Sequence, residues 1–191
     1  MSEVSLADAA EAMASIWSPI DGGVTAPNGF QAAGVVAGLK PSGRPDLALI
    51  LAPDEAVCAG TFTTSVGRAA CVDLCAERLS SRDGRMRAVL INSGQANACT
   101  GDRGLLDSQR ATQAVADQLG LDPETVLICS TGVIGVPIPM PTLLSGLGSL
   151  IAALSDGGGP AAAQAILTTD LVEKQAAVQA ECGGRTVRIG G

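Results

Sequence analysis

Apolar and polar positions along the chain follow two rhythms, one helical and one extended. Over residues 5–16, Leu6, Ala9, Ala10, Met13 and Ile16 recur at helical spacing and predict a short amphipathic helix. A turn-rich segment, Gly22 to Phe30, leads into a predicted strand over 31–39, and residues 40–45 form a loop with two prolines and a glycine. Residues 46–51 are a near-continuous apolar run. Residues 57–64 form a second run after the Pro53-Asp54 turn, and the short connection predicts an antiparallel pair. Residues 69–74 continue the β character, and Asp83-Gly84 turns into a strand over 87–91.

The second half alternates strands with helices. Ala111, Ala114, Val115 and Leu119 mark the buried stripe of a helix over 107–119, which Gly120 stops. A strand over 125–129 follows, then a Leu-rich helix over 141–154. Gly157-Gly158-Gly159 is a loop, and Pro160 opens a third helix over 161–167. Residues 176–182 and 185–189 flank Gly183-Gly184 as a β-hairpin. The alternation predicts an α/β fold.

Composition narrows the chemistry. Only three of 191 residues are aromatic, so the core is built from Ala, Val, Leu and Ile, whose small volumes permit close backbone approach. The net charge of −7 and the scarcity of stacking surface exclude a nucleic-acid binder. With no His, the commonest general base and zinc ligand are missing. The six cysteines, at 58, 71, 75, 99, 129 and 182, match no metal spacing and read as reduced thiols, with Cys58, Cys71 and Cys129 in or beside apolar runs and Cys99 nearest a polar tract. No stretch has the length of a membrane span and no signal peptide is visible, so a cytoplasmic protein is expected.

Candidate chemistry gathers in polar, Gly-containing tracts that follow strand-like runs: Asn92-Ser93-Gly94-Gln95-Ala96-Asn97-Ala98-Cys99-Thr100-Gly101 and Ser130-Thr131-Gly132-Val133-Ile134-Gly135. Backbone N–H groups and a Thr hydroxyl at the end of a strand suit an oxyanion hole, although a Thr-Gly turn that merely ends a strand uses the same residues. Asn92 and Asn97 can bind a ligand or satisfy their own turn. Thr168-Thr169-Asp170 can touch a substrate or cap a helix. Gly157-Gly158-Gly159 lacks the context of a phosphate-binding loop. The two lysines, Lys40 and Lys174, read as solvated surface charges.

Together these tracts resemble the ornithine acetyltransferase family, also described as bifunctional arginine-biosynthesis proteins or glutamate N-acetyltransferases. The resemblance runs from Gly23 to Gly191. It rests on Gly23-Val24-Thr25-Ala26-Pro27-Asn28-Gly29-Phe30, Gly60-Thr61-Phe62-Thr63-Thr64, the two tracts above and Ala165-Ile166-Leu167-Thr168-Thr169-Asp170. It implies a layered α/β sandwich of the ornithine acetyltransferase type, with residues 1–22 a helical N-terminal extension and 23–191 an α-chain domain cut short of a self-cleavage site.

In that family the precursor cleaves itself, and the new N-terminal Thr of the β chain is the nucleophile, with its own α-amino group as base. The resemblance implies that Thr131 and Gly132 form the oxyanion hole and that Thr168 contacts the acetyl-amino-acid substrate. It implies the β chain of the same precursor as partner, N-acetylornithine and glutamate as substrates, acetyl-CoA as a further donor in some members, no metal or organic cofactor, and oligomers of αβ units. The 191-residue chain alone is then expected to be inactive. The alternatives are an aminopeptidase-like self-processing hydrolase and a non-catalytic binding or scaffold domain.

Overall fold

Five consecutive apolar residues, Leu47-Ala48-Leu49-Ile50-Leu51, have no polar face to offer water, so this strand must be covered on both sides. The rest of the fold is arranged to cover it. The computed structural model describes residues 16–54 and 56–191. The helix expected over 5–16 lies, but for its last residue, outside them. In chain order the elements are β1 (Ser18–Ile20), β2 (Gln31–Val35), β3 (Leu47–Leu51), α1 (Ala70–Ser81), β4 (Ala88–Gln95), α2 (Gly101–Leu119), β5 (Val126–Val133), α3 (Met140–Ala152), α4 (Gly159–Ala165), β6 (Ala177–Cys182) and β7 (Arg185–Gly190). The main sheet has the order β2-β3-β4-β5; β4 and β5 are parallel and the other neighbours antiparallel. A second antiparallel sheet, β1-β6-β7, contains the expected hairpin. The strand Ser18–Ile20 falls within the segment expected as a helical extension, and pairs with β6.

The two faces of the main sheet are packed differently. On one, Leu47, Leu49, Leu90, Val126 and Ile128 meet Val115 of α2 and Leu143, Leu147 and Leu150 of α3, all fully buried or nearly so. Each such side chain contributes about 1.5–3 kcal/mol on burial. On the other face, Ala32 and Ala48 meet Ala162 and Ala165 of α4. Less apolar volume is buried there, and the gain is proximity. A Cβ added to Gly34 would sit 2.0 Å from the carbonyl oxygen of Ala161, so the α4 backbone lies directly on β2. The large-residue face supplies most of the stability, and the small-residue face sets where the end of α4 falls.

β5 is an edge strand, and α1 covers its edge. Cys71, Leu74, Cys75 and Arg78 are buried at helical spacing. Arg78 Nη1 donates to the Val126 carbonyl, while the Cys75 thiol donates to the Ile128 carbonyl at 3.2 Å and accepts from the Ile128 N–H at 3.4 Å. Side chains thus satisfy backbone groups that an open edge would expose. Residues 69–74, expected to be extended, lie almost wholly in this helix, and its signal in the sequence is the 71/74/75/78 stripe.

Two more expectations are corrected. Residues 57–64 form no strand, and the chain is exposed from Ala59 to Arg68. Both edges of β3 are already filled, by β2 and β4, so a following run has no edge on which to pair. The strands over 87–91 and 125–129 run further, to Gln95 and Val133, because the polar tracts continue the parallel ladder. Cys129, although it stands in an apolar run, is exposed.

Burial pushes the thiols of Cys71 and Cys75 above their ordinary value of 9.0. Cys129 is pushed up to about 11 by desolvation first and then by Cys75, Cys71 and Cys58. Cys129 is exposed, so the pH dependence of stability comes chiefly from the two buried thiols. A folded pKa above the unfolded one gives stability that is complete below the unfolded value and is lost as pH rises through the folded value. The urea midpoint should therefore fall from pH 9 upward, and the fall should be shallower in a Cys71→Ala/Cys75→Ala variant. An unchanged slope in that variant would contradict these assignments.

Candidate functional site

The site begins with one buried carboxylate. Asp46 stands at the head of β3 with no exposed surface. Its Oδ1 accepts from the Ala37 N–H at 2.7 Å, and its Oδ2 accepts from Gly38, Leu39 and Lys40 at 3.1, 2.5 and 2.9 Å. The backbone of Asp46 is committed as well: its N–H donates to Val35 and its carbonyl accepts from the Ser93 N–H, both at 2.9 Å. A buried carboxylate needs this many donors to offset the loss of water. The loop after β2 is thereby curled into a fixed shape.

That loop abuts the carboxyl end of the parallel pair. Gln95 Nε2 donates to the Leu39 carbonyl at 3.0 Å. Asn92 donates to the Gln95 carbonyl at 3.1 Å and accepts from the Ser130 hydroxyl at 2.6 Å. In register, Ser93 lies beside Thr131 and Gly94 beside Gly132. Gly94 and Gly132 have φ of 127° and 134°, and a Cβ on Gly132 would lie 2.3 Å from the Gly94 carbonyl carbon. Only glycine fits between the strands there.

Thr131 and Gly132 thus sit inside β5 rather than after it. Backbone polar groups alternate sides along a strand. The groups of Val126 and Ile128 turn outward to α1, so Thr131 turns inward to β4 and Gly132 turns outward. α1 begins at Ala70, and Cys71 in its first turn contacts Ser130. Gly132, two residues further on, is exposed. Thr131 is half-buried, and its hydroxyl has no hydrogen-bond partner among the described residues.

Thr168 lies beyond α4, three residues past Ala165, so it does not end that helix as expected. It is exposed, and its hydroxyl too has no partner among the described residues. It lines a cavity of about 540 Å³ together with Lys40, Arg44, Gln164, Leu167 and Glu173. Thr131 and Gly132 do not line that cavity; they approach it through β4, where the Ser93 hydroxyl donates to the Ala165 carbonyl.

Lys40, read from sequence as solvated, is partly buried. Its ammonium donates to the carbonyls of Pro45 at 2.8 Å, Ala165 at 3.4 Å and Leu167 at 2.5 Å. Burial lowers its pKa, Asp46 pulls it up and Arg44 lowers it again. Lys174 is the exposed lysine, paired with Asp170 at 2.7 Å. Asp46 and Lys40 are not among the residues expected at the site; the one signal for them in the sequence is an acid alone at the head of a fully apolar strand.

Asn97 and Cys99 have structural surroundings. Asn97 is fully buried at φ 51°; it donates to the Gly104 carbonyl and the Ser108 hydroxyl and accepts from Thr100, fixing the first turn of α2. Cys99, at φ 56°, is exposed and lines a separate cavity with Arg68, Asp73 and Asp102. Among the described residues no three side chains are gathered to hold a metal, and no helix is long and apolar enough to cross a membrane.

The model of the ArgJ family matches residues 31–191. The arginine biosynthesis bifunctional protein ArgJ of Parasynechococcus marenigrum is 75% identical over 180 residues, 94% of this chain and 44% of the relative. Its namesake in Prochlorococcus marinus (strain MIT 9313) is 72% identical over 94% of this chain and 42% of the relative. The chain thus spans less than half the length of these curated relatives. Among solved structures, the bifunctional protein argJ of Bacillus halodurans superposes with a TM-score of 0.85 at 35% identity, covering 92% of this chain and 91% of that one. Ornithine acetyltransferase from Mycobacterium tuberculosis, solved in complex with ornithine, gives 0.83 at 42% identity, covering 90% and 92%.

The glycine pair yields a direct structural test. Gly132→Ala should lower unfolding stability by about 3 kcal/mol, because the new methyl meets backbone and φ remains in a region closed to alanine. Gly135→Ala, whose φ is 77° but whose added Cβ meets nothing within 4 Å, should cost less. Equal losses in denaturant titrations would show that the contact with Gly94 is unimportant.

Proposed function

The chain belongs to the ArgJ family, and from that membership we propose that it is the α-chain portion of an enzyme that moves an acetyl group from N-acetylornithine to glutamate in arginine biosynthesis. The observation that carries this reading is the match, at 42% identity over nine-tenths of both chains, to an ornithine acetyltransferase solved with ornithine. The shares of length add support. The curated relatives are matched over less than half their length, whereas the solved chains are matched almost whole. That difference fits a precursor that works as two polypeptides, of which residues 23–191 here correspond to the first.

In the proposed mechanism the N-terminal Thr of the β chain attacks the acetyl carbonyl, and its own α-amino group takes the hydroxyl proton. The carbonyl oxygen becomes an oxyanion. The Thr131 hydroxyl, without a partner among the described residues, and the outward N–H of Gly132 donate to it. Collapse of the tetrahedral intermediate breaks the C–N bond, and the α-ammonium returns the proton to the leaving amine of ornithine. The amine of glutamate then attacks the acetyl-Thr ester by the reverse sequence. Acetyl-CoA can replace N-acetylornithine as donor in the same scheme. Thr168 holds the acetylated amino acid, no cofactor is needed, and the αβ units assemble further in the cytoplasm.

The full-length protein should release ornithine from N-acetylornithine in proportion to added glutamate, and residues 1–191 purified alone should release none. Release that is independent of glutamate would favour the hydrolase reading. Thr131→Ala in the full-length protein should lower kcat by about 10²–10³-fold with little change in KM, as for a lost oxyanion donor. Wild-type kcat would remove the hydroxyl from the mechanism. Thr168→Val should raise KM for N-acetylornithine by a factor corresponding to about 0.5–1.5 kcal/mol. A loss of melting temperature with KM unchanged would withdraw its substrate role.

A further inference from the structure

The cavity that Thr168 lines contains two cations, Lys40 and Arg44, and Lys40 is the one whose donors are spent. An ammonium has three N–H groups, and here three carbonyl oxygens, of Pro45, Ala165 and Leu167, accept from it. No donor is left for an anionic ligand. Two of the three acceptors belong to the end of α4 and the residues just after it, and Thr168 follows Leu167 directly. The carbonyls at a helix end lack intrahelical partners and carry partial negative charge, so a cation there both satisfies and anchors them.

The other end of Lys40 is held just as firmly, since its backbone N–H is one of the four that Asp46 gathers. The same loop places the Leu39 carbonyl against Gly94: a Cβ on Gly94 would lie 3.1 Å from that oxygen. Gly94 in turn lies against Gly132. A second tether runs in parallel, from the Ser93 hydroxyl on β4 to the Ala165 carbonyl, beside Thr131 in register. One curled loop therefore touches both the strand pair that carries Thr131 and Gly132 and the turn that carries Thr168.

We infer that Lys40 is a positioning residue, whose ammonium, clamped on the carbonyls of Ala165 and Leu167, sets the distance between Thr168 and the Thr131–Gly132 donor pair. The inference rests on the reading of Thr168 as a substrate contact. Lys40 acts through the backbone of α4 and touches no reacting atom. A hydroxyl displaced by a fraction of an ångström loses a hydrogen bond without unfolding anything, so the effect appears in substrate binding.

The test is a double-mutant cycle in the full-length protein, read as KM for N-acetylornithine, a quantity that a reduced fraction of folded enzyme does not change. Lys40→Met, which keeps the length of the stem and removes the donors, should raise KM by as much as Thr168→Val does, about two- to tenfold. In a Thr168→Val background the same substitution should raise KM by less than about twofold, because the contact it positions is already gone. Lys40→Arg, which keeps the charge and can reach the same carbonyls, should restore most of the loss. Ser93→Ala, which removes the second tether, should raise KM in the same background-dependent way, and carries the test should Lys40→Met fail to fold. If Thr168→Val raises KM while Lys40→Met and Ser93→Ala do not, or raise it equally in both backgrounds, Lys40 is not a positioning residue. If Thr168→Val itself leaves KM unchanged, the substrate reading of Thr168 fails first and takes the inference with it.

Discussion

The Asp46 carboxylate accepting four consecutive backbone N–H groups is the constraint on which the functional end of this molecule depends. An ionised side chain with no exposed surface is stable only if the protein replaces the lost water, and here the replacement is a curled stretch of main chain. The reverse also holds. Four adjacent N–H groups facing inward would be orphans without a common acceptor. Each half requires the other, so the loop after β2 has one shape. Through the backbone of Asp46, which bonds to Val35 on one side and Ser93 on the other, that shape is referred to three strands at once.

From this loop two chains of contact run to the candidate site. One passes from the Leu39 carbonyl to Gln95 and Gly94, and so to Gly132 across the parallel ladder. The other passes through Lys40 to the end of α4. Neither would work with ordinary core residues. α4 reaches its place because Ala32, Gly34 and Ala48 leave its backbone room against the sheet. Gly132 reaches Gly94 because Gly132 carries no Cβ, and the Leu39 carbonyl reaches Gly94 because Gly94 carries none. The near absence of aromatic residues is thus the composition that close approach at these two places requires. The donors end at the carboxyl end of the parallel pair, where α/β sheets generally present ligand-binding backbone.

Much of the α/β alternation could be read from periodicity alone. The helices expected over 107–119 and 141–154 and the β6–β7 hairpin are found, although α2 begins six residues earlier, at Gly101, inside the polar tract. The misreadings have physical causes. Residues 57–64 have the composition of a strand, but pairing needs a free edge, and no local pattern shows that β3 has none left. α1 was hidden because its buried stripe is made of Cys, Leu and Arg, and a buried Arg that serves the edge of β5 does not look apolar. The polar tracts were legible as special and read as loops. Their first residues, to Gln95 and Val133, are strand instead, because Asn92, Ser130 and Gln95 satisfy one another in the interior. Lys40 looked like surface charge, since nothing in sequence reveals that two of its three partners are carbonyls more than a hundred residues away.

The division of labour proposed for the enzyme assigns the oxyanion donors and a substrate contact to this chain and the nucleophile to another polypeptide. The most direct test is to quench the full-length protein in acid while it turns over N-acetylornithine without glutamate, and to weigh its polypeptides by mass spectrometry. One acetyl group should be found on a separate polypeptide, at its N-terminal Thr, and none on the chain containing residues 23–191. Acetyl carried by any residue of that chain, or by a single uncleaved polypeptide, would contradict this division.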